Sequence, residues 1–143
     1  MTRARKEILA ILRAAASPLS AVEVIRSFPG GTGPDQATVY RALHWLEDGG
    51  YAESFVLHCL EHGTERYYAA ILDESGRALA HRHWFHCVSC HRFTDLGECG
   101  LEGLIAGYEN DLGVKINAHT LYCTGVCGPC AKSGALHGPS LRA

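Results

Sequence analysis

A chain of 143 residues suits one medium domain or two small ones, and 47% hydrophobic against 20% charged residues is an ordinary balance for a globular protein. No apolar run approaches the ~18 residues of a membrane helix, and the N-terminus lacks a signal peptide's cleavage site, so the sequence predicts a cytoplasmic protein with no membrane partner. A net charge of -2 excludes a globally basic nucleic-acid binder, although Arg3, Arg5, Lys6 and Arg13 are opposed only by Glu7 and gather positive charge at one end.

The first predicted element is a helix from Thr2 to Ala15, with Ile8, Leu9, Ile11 and Leu12 as its apolar stripe. Ser17-Pro18 breaks it, and Ser20 with Glu23 makes a capping box for a second helix to about Phe28. A Pro- and Gly-rich loop, Pro29 to Pro34, follows. Asp35 then caps a third helix that carries Val39, Leu43 and Leu46 on one side and stops at Gly49-Gly50. Tyr51 to Cys59 and Thr64 to Ala70 read as two strands around a turn at Glu61-His62-Gly63. Three short helices followed by a β-hairpin is the winged-helix pattern, whose third helix enters the major groove of DNA while the hairpin touches the flanking backbone.

The more polar stretch from Ile71 to Ala80 reads as a linker. Beyond it the pattern predicts strands at His81 to Val88 and Arg92 to Leu96, a helix from Leu101 to Asp111, and a strand from Val114 to Tyr122. The expected organisation is a DNA-binding domain over 1–70, a linker over 71–80, a second domain over 81–132 and a loose tail over 133–143. The fold class is α/β in the α+β sense.

Two CxxC pairs, Cys87-Val-Ser-Cys90 and Cys127-Gly-Pro-Cys130, bracket the second half. Each such turn lets two thiolates reach one ion about 2.3 Å away, and two turns complete a tetrahedral zinc shell with no position left for substrate. Redox-active pairs or unrelated buried cysteines are the alternatives; in a reducing compartment two pairs favour zinc, one structural ion per chain.

With these features in place, the chain resembles the ferric uptake regulator family. The matching segments are Ala37-Thr38-Val39-Tyr40-Arg41-Ala42-Leu43, the His81-Arg82-His83 strand leading into Cys87, and His119-Thr120-Leu121 before Cys127, in the family's order. The resemblance implies a homodimer with an N-terminal winged-helix DNA-binding domain and a C-terminal α/β dimerisation domain holding the four-cysteine site. It also implies that Thr38, Tyr40 and Arg41 lie on the recognition helix and meet double-stranded DNA, as a palindromic operator. Their chemistry suits contacts to phosphate, thymine methyl and guanine. A core position for Tyr40 with a solvated Arg41 is the competing reading.

The resemblance further implies a regulatory metal held by His81, His83, Glu102 and His119. Imidazole and carboxylate suit Zn2+, Fe2+ or Mn2+. The family's hinge site is where the sequence departs: Arg82 and Trp84 stand at two of its histidine positions, Pro18 at a third, and Ala69 at its acidic position. A variant site drawn from Glu53, His58, Cys59, His62, His86 or Asp95 competes with a surface or packing role for them. His91 replaces the glycine common after the first cysteine pair, and Cys99 and Cys123 match no family ligand and read as small apolar residues, with membership of a metal or redox site the lesser alternative for one of them.

The expected function is metal-dependent repression of metal-uptake genes, with zinc the first choice of signal and iron, manganese or peroxide sensing on the same fold as alternatives. A small zinc hydrolase is the rival of a different class. It needs an open coordination position and a general base, which Glu102 could supply, but HExxH is absent and the winged-helix half would be idle.

Overall fold

A computed structural model describes residues 1–59 and 63–134. They form two compact units, dividing between Leu79 and Ala80.

In the first unit, α1 spans Arg3–Ala14, capped by the Thr2 side chain, which accepts from the Arg5 N–H. Its stripe buries Ile8, Leu9 and Leu12, with Ile11 half-buried at the margin. The second helix, α2, spans Ala21–Arg26, and its capping box forms as expected: the Glu23 N–H donates to Ser20 Oγ, and the Ser20 N–H donates to Glu23 Oε2. Helix α3, Gln36–Asp48, starts on the Asp35 carboxylate, which accepts from the Thr38 N–H at 3.0 Å.

Strand β2 (Ala52–Cys59) and strand β3 (Gly63–Ala70) form the antiparallel wing over eight paired residues. Of the expected turn, Glu61 and His62 lie outside the described residues. A two-residue strand β1, Leu19–Ser20, pairs with Tyr68 and Tyr67 and makes the sheet order β1-β3-β2. Two residues carry no readable period, so only the tertiary pairing reveals them. Val24, Val39, Ala42, Leu43, Leu46, Ala52 and Tyr68 close the core with the α1 stripe. Burying each large aliphatic side chain there contributes roughly 1.5–3 kcal/mol.

Residues 71–79 fold back onto this unit. Arg13 donates to the Leu72 and Asp73 carbonyls at 2.8 and 2.7 Å. The Asp73 carboxylate in turn accepts from the Ser75 and Arg77 N–H groups. The stretch that reads as a polar linker is thus a hydrogen-bonded turn.

In the second unit, strands β4 (Arg82–Cys87), β5 (Phe93–Glu98) and β6 (Tyr122–Gly125) form a sheet of order β5-β4-β6. Strand β5 is antiparallel to β4, with a register irregularity between Arg82 and Trp84, and β6 is parallel to β4. Helix α4, Glu102–Leu112, ends at Gly113, whose φ of 64° is the left-handed conformation that stops helices. A short helix α5, Gly128–Lys132, follows β6. The strand expected over Val114 to Tyr122 begins only at Tyr122. In the stretch before it, the Ile116 N–H donates to Glu109 Oε1 of α4 at 2.8 Å. Among the described residues no helix is long and apolar enough to cross a membrane.

Candidate metal centres and nucleic-acid face

The two CxxC pairs come together. Cys87 closes β4, and its carbonyl accepts from the His91 N–H at 2.9 Å to make the first turn. His91 takes a φ of 61°, the left-handed conformation that glycine adopts without penalty. Cys127 is the N-cap of α5, with Pro129 in its first turn. Parallel pairing of β4 with β6, continued by the Val88 N–H to the Gly125 carbonyl, sets the second pair beside the first. The sulfurs of Cys87, Cys90, Cys127 and Cys130 lie within 4.8 Å of one another. The Cys90 and Cys127 sulfurs are 3.8 Å apart, about the 3.8 Å edge of a thiolate tetrahedron with 2.3 Å bonds to zinc.

Burial of Cys87 opposes its thiolate, yet N–H donation from Cys90, Cys127 and Ser89 prevails and brings the thiol from 9.0 down to about 6. Cys130, hydrogen-bonded to Cys127, is pushed up to about 12 and keeps the proton. The group therefore holds a thiolate at neutral pH, the species that binds metal. Donor type, spacing and charge fit a structural zinc.

A second group of donors is made by His81, His83, Cys99 and His119. His81 immediately precedes β4 and His83 lies within it, 5% exposed. His119 stands in the segment before β6. The Nε2 atoms of His81 and His119 are 3.0 Å apart, and those of His119 and His83 3.2 Å. Cys99 Sγ is 3.2 Å from His83 Nε2 and 3.4 Å from His119 Nε2. His83 Nδ1 lies 3.0 Å from the Leu121 carbonyl, which can only accept. The proton of His83 therefore sits on Nδ1, and Nε2 turns a lone pair toward the other donors.

On α3 the buried side, Val39, Ala42, Leu43 and Leu46, faces the core. Tyr40 is 44% exposed, Arg41 is exposed beside it, and Thr38 is half-buried. Tyr40 is therefore not a core residue. Thr38 Oγ1 donates to Asp35 Oδ2 at 2.6 Å and accepts from Arg41 at 3.4 Å, so the helix start and the arginine are tied together. Arg5 of α1 lies over the Trp45 ring, 4.2 Å from its centroid, and holds positive charge against the same helix.

The model of the ferric uptake regulator family matches residues 1–124. The chain belongs to the ferric uptake regulator family. Members of this family are metal-responsive transcriptional regulators rather than enzymes, which removes the hydrolase reading. The fold is similar to the ferric uptake regulator of Helicobacter pylori, at 20% identity over 92% of this chain and 81% of that one, with a TM-score of 0.69. It is also similar to the Vibrio cholerae ferric uptake regulator, at 23% identity over 89% and 91% of the two chains and a TM-score of 0.66. A zinc uptake regulator complexed with zinc and DNA matches at 20% identity over 94% and 85%, with a TM-score of 0.57. No curated protein sequence matches the chain.

Within this family frame, the structure differs from the sequence reading at two residues. Glu102 opens α4 and is exposed, outside the second donor group, while Cys99 is inside it. The cause is register. Arg82 pairs with Glu98, so the next residue, Cys99, leaves β5 beside the start of β4, where His81 and His83 lie. Gly100 and Leu101 then carry the chain away. Only that strand register signals Cys99; its sequence context does not. Cys123 is exposed on β6, opposite Phe85 and outside both groups.

Of the candidates for a variant hinge site, Glu53, His58 and Cys59 lie on β2, His86 is buried in β4, and Asp95 on β5 is paired with Arg82. None of the five belongs to either donor group. His62 lies outside the described residues.

Proposed function

We propose that the chain is a zinc-responsive repressor of metal-uptake genes that binds a palindromic operator as a homodimer. The observation that carries this reading is the convergence of the His81, His83 and His119 Nε2 atoms in the second unit, separate from the four-cysteine group. The four-cysteine group is the structural zinc site, and the histidine centre is the regulatory one. A divalent ion bound there would cross-link the start of β4 to the segment before β6. Thr38, Tyr40 and Arg41 of α3 are the DNA-contacting residues, with Arg41 reading a base edge or gripping phosphate. Dimerisation is supported by the apolar side chains Leu104, Tyr108 and Leu112, all exposed on α4.

The test is metal content per chain, followed by DNA titrations with Zn2+, Fe2+ and Mn2+ after mild chelation. One retained zinc, with DNA binding restored best by added Zn2+, is the expected result. The His81→Ala/His83→Ala double variant should remain a folded dimer but lose about 5- to 150-fold in metal-dependent DNA affinity, the range of a ~1–3 kcal/mol coupling. DNA binding indifferent to metal, or a double variant that represses normally, would overturn the regulatory centre. Best restoration by Fe2+ or Mn2+ would overturn zinc as the signal.

A further inference from the structure

We propose that Cys99, not Glu102, is the fourth protein ligand of the histidine centre, which makes it a nitrogen-and-sulfur site for a borderline-soft ion such as Zn2+. This rests on the regulatory reading above and adds the donor that decides which ion the centre takes.

The geometry carries the argument. Cys99 Sγ, His83 Nε2 and His119 Nε2 form a triangle with sides of 3.2, 3.4 and 3.2 Å, and His81 Nε2 lies 3.0 Å from His119 Nε2. Donors about 2.0–2.3 Å from a tetrahedral zinc are about 3.3–3.8 Å from one another, so small outward shifts of these four atoms admit the ion. The tautomer agrees, because His83 Nδ1–H is held by the Leu121 carbonyl and Nε2 is left as a donor. On binding, the Cys99 thiol gives its proton to solvent and the thiolate supplies the anionic donor that a carboxylate would otherwise provide.

Glu102 has another place. It is the first residue of α4, which no side chain caps, and a carboxylate there interacts favourably with the helix N-terminus. The exchange of donors matters for selectivity. Oxygen ligands suit Mn2+, whereas thiolate with imidazole suits Zn2+. Four protein donors also close a tetrahedral shell, as expected of a site that reports a metal rather than one that uses it on a substrate.

Cobalt(II) distinguishes the ligands because thiolate coordination gives an intense near-ultraviolet charge-transfer band. Full-length protein holding one zinc per chain is titrated with one equivalent of Co2+. Wild type and Glu102→Gln should both show the band. Cys99→Ser should lose it and bind Co2+ more weakly by about 100-fold or more, beyond the usual effect of losing an outer-shell partner. Cys99→Asp, which restores an anionic donor, should recover affinity without the band. Cobalt uptake without a band in wild type, a band that persists in Cys99→Ser, or affinity lost in Glu102→Gln and retained in Cys99→Ser would overturn Cys99 as a ligand while leaving a regulatory metal in place. Failure of wild type to take up a second ion at all would overturn both readings.

Discussion

Cys87 shows how a single side chain is prepared for metal. Its burial would keep the thiol protonated, but backbone N–H groups from both cysteine turns point at the sulfur and bring it to about 6. The folded value lies below the ordinary 9.0, so the stabilisation of the thiolate is fully present above pH 9.0 and is lost as pH falls through about 6. Acid, not base, should therefore release the ion. Zinc freed to a colorimetric chelator should rise toward acid pH, as protons compete with the ion for the thiolates; release that grows on the alkaline side would contradict this account. Asp35 is a milder case: hydrogen bonds from Thr38 hold its carboxyl below the usual range, so the cap of α3 stays charged at neutral pH.

At the scale of the element, α3 divides its work between two faces. Val39, Leu43 and Leu46 are fully buried, whereas Tyr40 and Arg41 look outward from the same helix. The two faces should respond differently to truncation. Leu43→Ala should destabilise the first unit by roughly 2–5 kcal/mol in denaturant unfolding, because a fully packed site cannot collapse around the lost atoms. Tyr40→Ala and Arg41→Ala should change stability by no more than ~0.5 kcal/mol, while Arg41→Ala weakens operator binding by ~1–3 kcal/mol. An Arg41→Ala protein that binds its operator as well as wild type would remove this residue from the interface.

At the scale of the molecule, the two units are held together by different means. The first has a continuous apolar core built from three helices and a sheet. Among the described residues of the second, only His83, Trp84, His86 and Cys87 are buried, and two of these belong to the donor groups. Within a single chain so small a core offsets little of the conformational entropy of ordering the unit. Metal at the cysteine group, worth about 10–16 kcal/mol in small zinc domains, offsets far more. Stripping both metals should therefore abolish amide-exchange protection in β4, β5 and β6 while α1 and α3 stay protected. Equal loss in the two units, or protection retained in β4, would show that zinc is not what holds the second unit.

The sequence by itself determined what depends on neighbours along the chain. Helix stripes, the Ser20–Glu23 capping box, the Asp35 cap and the two CxxC turns all lie within a few residues of their partners, so their geometry follows from spacing alone. The order of these segments also carried the family, and with it the grouping of His81, His83 and His119. Tertiary structure decided the rest. Strand β1 exists only because Tyr67 and Tyr68 pair with it, and β6 starts at Tyr122 because that residue meets Trp84 across a parallel ladder. Cys99 joins the histidines for the same reason: antiparallel register brings the end of β5 to the start of β4. Register is a relation between residues distant in sequence, set by which side chains pack across strands. A cysteine with no local motif thus becomes a candidate ligand only once its strand has a partner.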